Sequence, residues 1–145
     1  MTAKSETDRR AVAEGFLTCS PAAFQLLIGT QNPKGDVLQV AQLAGAMAGK
    51  RTGELIPLCH ILPGASVVVE AIPDPELPGL RITATARFQG KTGVEMEALT
   101  AVSIALLTAY DMLKSADKSM TIGKICLLSK QGGQSGDWSR EPNPT

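Results

Sequence analysis

The sequence has few aromatic residues, one histidine, no net charge and no cysteine pair at a recognisable spacing. Aromatics make up 3% of the 145 residues, so the core has to be built from Leu, Val, Ile, Ala and Met. Lysines and arginines balance aspartates and glutamates, for a formal net charge of zero. That argues against nucleic acid or an anionic membrane as a partner, because both call for a net basic face. A small anionic ligand stays compatible, since cations can cluster locally. Cys19, Cys59 and Cys126 are odd in number and far apart. They suit neither a disulfide framework nor a zinc knuckle and are expected as reduced, mostly buried thiols. A metal site would need more ligands than His60 and scattered cysteines supply, so no metal is expected. The uncharged segment 98–109 falls well short of the roughly 20 residues that span a bilayer. The N-terminal run M-T-A-K-S-E-T-D-R-R is polar and carries no secretory signal. The expected location is therefore cytoplasmic.

What remains is 43% hydrophobic and 19% charged, the balance of a folded globular chain. Its length suits a single domain over 1–145, with residues 1–8 and about 137–145 as flexible ends. The stretch 92–118 organises the rest. It reads T-G-V-E-M-E-A-L-T-A-V-S-I-A-L-L-T-A-Y-D-M-L-K-S-A-D-K. Thr92 and Glu95 have the spacing of a capping box. A helix apolar on nearly every side is a core helix. At its far end Asp111 and Lys114 are three residues apart and share a face.

Around it the other elements fall in order. Residues 9–19 give a weak strand signal. Ser20-Pro21 caps a short helix that Gly29 stops, and 30–34 is a loop. Apolar residues recur at helical spacing from Val37 to Ala48, where Gly45 and Gly49 suggest close approach of another backbone. Residues 54–60 are irregular, with room for one helical turn. Val67 to Ile72 is β-branched and reads as a strand; 80–88 alternates as its antiparallel partner, and 121–129 is the last strand. The order β-α-α-β-β-α-β predicts an α+β fold. Specifically it predicts a ferredoxin-like α/β sandwich, with helices on one face of an antiparallel sheet and an additional helix in the first crossover.

Four groups of residues could carry chemistry. Lys34-Gly35-Asp36 opens a helix, where an anion is favoured; Asp36 is equally placed as its cap. Leu58-Cys59-His60 holds the one histidine, which can exchange a proton near neutrality. Glu95-Met96-Glu97 puts two carboxylates at the start of the core helix. Asp111 stands near a helix C-terminus, where the dipole disfavours it, with Lys114 beside it and Lys118 beyond. Each group has an ordinary structural reading as a cap, a surface ion pair or a solvated side chain. Glu97 and Asp111 are nearly aligned on one helix face but about 21 Å apart along its axis. One compact ligand could not touch both from the same helix.

Taken together, K-G-D-V at 34–37, A-G-K-R-T at 48–52, L-I-P-L-C-H at 55–60, T-G-V-E-M-E-A-L-T-A at 92–101, Y-D-M-L-K at 110–114 and G-G-Q-S-G at 132–136 form a pattern. It resembles the cyclic pyranopterin monophosphate synthase family, the C protein of molybdenum cofactor biosynthesis, over almost the whole chain. The resemblance implies a ferredoxin-like homo-hexamer, a trimer of dimers with sites at subunit interfaces. It implies a lyase that needs no cofactor. That lyase converts 3',8-cyclo-7,8-dihydroguanosine 5'-triphosphate to cyclic pyranopterin monophosphate and releases diphosphate. By motif position Lys34, Asp111 and Lys114 fall on catalytic residues. Leu58, Cys59, His60, Met96 and Glu97 fall on substrate-binding positions. Three features depart from the family pattern. The chain starts after a short V-D-V-like run, Ile-Leu-Pro follows His60 in place of Pro-Leu, and Gln134 replaces a lysine. A non-catalytic nucleotide-binding or scaffold protein on the same fold is the alternative.

Overall fold

Alternation of buried and partly exposed residues sets the first strand, β1 (Thr7–Thr18), in the computed structural model, which describes residues 6–142. Arg9, Ala11, Ala13, Gly15 and Leu17 all point to the covered side, as the two-residue period of a strand requires. Ser20 then caps α1 (Pro21–Ile28), its Oγ accepting from the Ala23 N–H at 3.1 Å. Asp36 caps α2 (Val37–Lys50), its Oδ1 accepting from the Gln39 N–H at 3.1 Å. A single turn, α3 (Thr52–Leu55), precedes the irregular run to Ala65. The hairpin β2 (Ser66–Asp74) and β3 (Gly79–Gly90) leads to α4 (Glu95–Leu113), followed by β4 (Thr121–Gln131) and β5 (Trp138–Ser139).

The five strands form one open sheet in the order β2-β3-β1-β4-β5, with every neighbouring pair antiparallel. This is the expected α+β arrangement, consistent with a ferredoxin-like sandwich lengthened by β5. Small residues meet at its centre: Ala11 faces Ala86 and Ala13 faces Ala84 across β1 and β3. α2 and α4 cover that side. A Cβ on Gly45 would lie 2.8 Å from the Ala101 carbonyl oxygen of α4 and 3.1 Å from Val69 of β2. One on Gly15 of β1 would lie 2.8 Å from both Val102 and Leu106 of α4. A core poor in aromatics thus closes through glycine and alanine seams, which let helix and sheet backbones approach.

α4 has the length and apolarity of a membrane-crossing helix, at 19 residues and mean hydropathy 1.4. Its apolar residues go elsewhere: Ala98, Ala101, Val102, Ala105, Leu106 and Ala109 are completely buried in the core formed with the sheet and α2.

Two expectations about α4 need correction. The capping box at Thr92 does not form. α4 begins later, its N-cap is Val94, and no side chain caps it. Val94 is fully buried, so core packing rather than a hydroxyl fixes where the chain enters the helix. Glu95 instead folds its carboxylate over Gly93, and Glu95 and Glu97 complement the N-terminal dipole. The helix also ends earlier than 118, with Lys114 as its C-cap. At the chain ends, β1 takes in Thr7 and Asp8, and Trp138 and Ser139 pair with Lys130 and Ser129. Of the expected flexible ends, residues 1–5 and 143–145 lie outside the described residues.

Candidate active site

The residues singled out by sequence separate into two clusters, one at each end of α4. At the C-terminal end Asp111 is held between two lysines. Lys34 Nζ donates to Asp111 Oδ2 at 2.9 Å, and Lys114 Nζ contacts Oδ1 at 2.9 Å. All three side chains are about half exposed. Lys114 and then Lys34, by hydrogen bond and by charge, hold the Asp111 carboxyl below the usual aspartate range. At neutral pH it is therefore an ionised acceptor with a donor on each oxygen.

The placement of Lys34 is worked into the chain. Gly35 adopts φ +106°, a backbone conformation that favours glycine, and this lets the loop turn into α2. Asn32 accepts from the Lys34 N–H at 2.9 Å and donates to the Met112 carbonyl of α4 at 2.7 Å. Lys118, expected one turn beyond Lys114, lies outside the helix, and its carbonyl accepts from the Tyr110 hydroxyl at 2.7 Å.

At the N-terminal end Leu58, Cys59, His60, Met96 and Glu97 all line one open cleft of about 310 Å³. The segment before β2 supplies the first three and the first turn of α4 supplies the other two. Leu58 has φ +62° and is fully exposed, a strained position for a branched apolar side chain. Glu97 is only 3% exposed. Burial, reinforced by the neighbouring charge of Glu95, pushes its carboxyl above the usual range, although its own backbone N–H opposes this. Burial and then the charge of Glu97 push the Cys59 thiol up as well. Both effects disfavour the Cys59 thiolate, the reactive form. Cys19, Cys59 and Cys126 are all free thiols. Among the described residues no three His, Cys, Asp or Glu side chains come together in a way that could hold a metal ion.

Between the clusters runs most of α4. Glu97 and Asp111 both lie within this one helix, fourteen residues apart by number, or about 21 Å at the α-helical rise. The fold thus draws the four groups into two clusters, Lys34 joining Asp111 and Lys114 at one end of α4 and residues 58–60 joining Met96 and Glu97 at the other, but one copy of the chain does not bring the two clusters together.

Two features escaped the sequence reading. Asn32 was part of a loop with no role. Arg9, Arg10 and Arg87 line a second cleft of about 370 Å³ at the end of the sheet. Arg10 and Arg87 are cross-strand partners, a pairing that alternation on β1 and β3 could have suggested once the register was known.

Comparison with known proteins points one way. The MoaC family model matches residues 1–133. A cyclic pyranopterin monophosphate synthase of Chloroflexus aggregans is 56% identical over 138 residues, 95% of this chain and 84% of the relative. Proteins of the same name from Brucella ovis (54% over 136 residues, 94% and 82%) and Chloroflexus aurantiacus (56% over 137 residues, 94% and 84%) are comparably similar.

Proposed function

Since the chain belongs to the MoaC family, we propose that it catalyses the reaction of a cyclic pyranopterin monophosphate synthase in molybdenum cofactor biosynthesis. It is an enzyme. The substrate is 3',8-cyclo-7,8-dihydroguanosine 5'-triphosphate, and the products are cyclic pyranopterin monophosphate and diphosphate. The observation that carries the reading is the Lys34–Asp111–Lys114 arrangement, with both lysine amines 2.9 Å from one carboxylate.

The chemistry asks for two kinds of help. Ring opening, ring closure and attack of a hydroxyl on the α-phosphate all move protons, which suits positioned acid–base groups. Departure of diphosphate needs cations where charge develops. Asp111 orients both lysines and can exchange a proton with either, and Lys34 and Lys114 place two positive charges together. The cleft of Leu58, Cys59, His60, Met96 and Glu97 binds the substrate. His60 and the buried Glu97 supply polar groups there, and Met96 and Leu58 supply apolar contact.

The two parts work together across subunits. A homo-hexamer, built as a trimer of dimers, brings the N-terminal cleft of one α4 to the lysine–aspartate cluster of a neighbour. Exposed Leu43, Met47 and Leu107 on α2 and α4 support assembly of this kind. The location is cytoplasmic, and the partners are the nucleotide and further copies of the chain.

The test is turnover of the cyclised nucleotide by the purified protein, followed by diphosphate release. Lys34→Ala and Asp111→Asn should keep the fold and the oligomer and lose about 10²–10⁴-fold in rate, the usual worth of a positioned acid or base. Full turnover by both variants removes the assigned roles. Nucleotide binding by the unmodified protein without diphosphate or pterin product would favour a scaffold.

A further inference from the structure

We propose that Asn32 is a positioning residue for turnover: its side-chain amide ties the loop carrying Lys34 to the last turn of α4 carrying Asp111, and so sets the lysine–carboxylate contact. The proposal rests on the reading above for its link to catalysis, but the contact it describes is measurable without turnover.

Asn32 is 8% exposed, directly beneath a cluster whose own side chains are about half exposed. Both ends of its amide are used. Nδ2 donates to the Met112 carbonyl at 2.7 Å, and Oδ1 accepts from the Lys34 N–H at 2.9 Å. Its backbone carbonyl also accepts from the Gly35 N–H at 3.0 Å. Met112 follows Asp111 directly, and its carbonyl is one of the terminal four that a helix leaves without an internal partner. The side chain therefore fills a helix-end vacancy and fixes the loop in one move. The partners are a carbonyl on one side and an N–H on the other, so only a group with a donor and an acceptor in that order fits.

Lysine is long and flexible. On an untethered loop the Lys34 amine would sample many positions around Asp111. With its N–H fixed two residues from a buried anchor, the stem starts from one place. Asn32 touches none of the reacting groups, so its effect passes through Lys34 and the end of α4.

Two variants separate positioning from mere stability. Asn32→Ala removes both side-chain bonds. Asn32→Asp keeps the acceptor for Lys34 but sets a carboxylate oxygen against the Met112 carbonyl. Both are read in the full assembled protein at 25 °C, by steady-state diphosphate release and by an NMR titration of the Asp111 carboxyl. We expect kcat to fall by about 10²-fold in both variants with KM within about threefold, the scale of a 1 Å misplacement. The Asp111 titration should move up towards the ordinary aspartate range as Lys34 leaves it. A purely structural Asn32 would lower the melting temperature and leave kcat and the titration where they were, and that result overturns the proposal. If Asn32→Ala does not fold, Asn32→Gln decides the matter: it keeps the amide but displaces it by one methylene, and an unchanged Asp111 titration there overturns the proposal equally. If the unmodified protein releases no diphosphate, the lyase reading fails by itself and the Asp111 titration still decides whether Asn32 sets the contact.

Discussion

Asp111 and Glu97 are carboxylates of the same helix with opposite surroundings. Asp111 is exposed and held low by Lys114 and Lys34; Glu97 is buried and pushed up. Their effects on stability therefore run in opposite directions with pH. A carboxyl lowered on folding contributes stability above its unfolded value, about 3.9 for Asp, and loses it as pH falls through the folded value. A carboxyl raised on folding is penalised once ionised. For Glu97 the penalty is absent below about pH 4.3 and develops as pH rises through the folded value. Glu97→Gln should thus raise the melting temperature at pH 7, with the gain vanishing when the two proteins are compared near pH 3. A variant less stable at pH 7 would show that the charged form is held by partners stronger than its burial. Asp111→Asn should change stability little at pH 7 in physiological salt, because exposed ion pairs are screened. Its cost should appear in turnover alone. Asp111 is thus an ionised acceptor with a lysine on each oxygen, whereas burial disfavours the charged form of Glu97.

The seam between α2 and α4 shows what the sequence could and could not disclose about the elements. Gly45 and Gly49 are poor helix residues, and their presence in α2 signals close approach. A Cβ on Gly45 would meet the Ala101 carbonyl oxygen at 2.8 Å and Ala105 Cβ at 3.0 Å. Gly45→Ala gains up to ~1 kcal/mol in helix propensity. Backbone cannot move aside as a side chain does, so overpacking of about 1–3 kcal/mol opposes it. We expect a net loss of about 1–2 kcal/mol by urea denaturation. Gly123→Ala, whose Cβ would meet nothing within 4 Å, should stay within about 0.5 kcal/mol of the unmodified protein. A neutral Gly45→Ala would mean that α2 slides on α4 at no cost. The elements themselves were largely readable. Ser20-Pro21 and Gly29 punctuate α1, alternation marks β3, β-branched residues mark β2, and β1 gives only a weak strand signal. The start of α4 was misread because the Thr92–Glu95 spacing is a local signal, whereas burial of Val94 is a tertiary one. β5 escaped because Trp138 and Ser139 become a strand only by pairing with β4. Asn32 escaped because its partner Met112 is 80 residues away. Sequence motifs supplied the members of both clusters. Which loop would reach Asp111 depended on sheet order and helix packing, which no local pattern encodes.

For the whole molecule the governing fact is the length of α4. The helix holds Glu97 near one end and Asp111 near the other, about 21 Å apart, and a helix buried through its middle cannot fold to bring them together. Fully exposed Leu58 in the cleft at the N-terminal end of α4, and Leu43, Met47 and Leu107 on the helices, are at least half uncovered in a single chain. Association would cover such residues and could set one chain's Glu97 cleft against another's Lys34–Asp111–Lys114 group. Symmetry then makes a definite demand: each subunit gives one half to each of two sites. Asp111→Asn and Glu97→Gln subunits should each be nearly inactive alone. Unfolded together in equal amounts and refolded, they exchange partners at random. A site is intact only when its Glu97 comes from one variant and its Asp111 from the other, which happens in about a quarter of sites for random assembly. Recovery of about a quarter of the unmodified activity is therefore the expected result, measured as diphosphate release per subunit. Dilution to monomers should abolish it. If both halves of a site came from one chain, every site in the mixture would still carry a substitution. Activity would then stay at the level of the separate variants, and the interface arrangement would be wrong even with the lyase assignment intact.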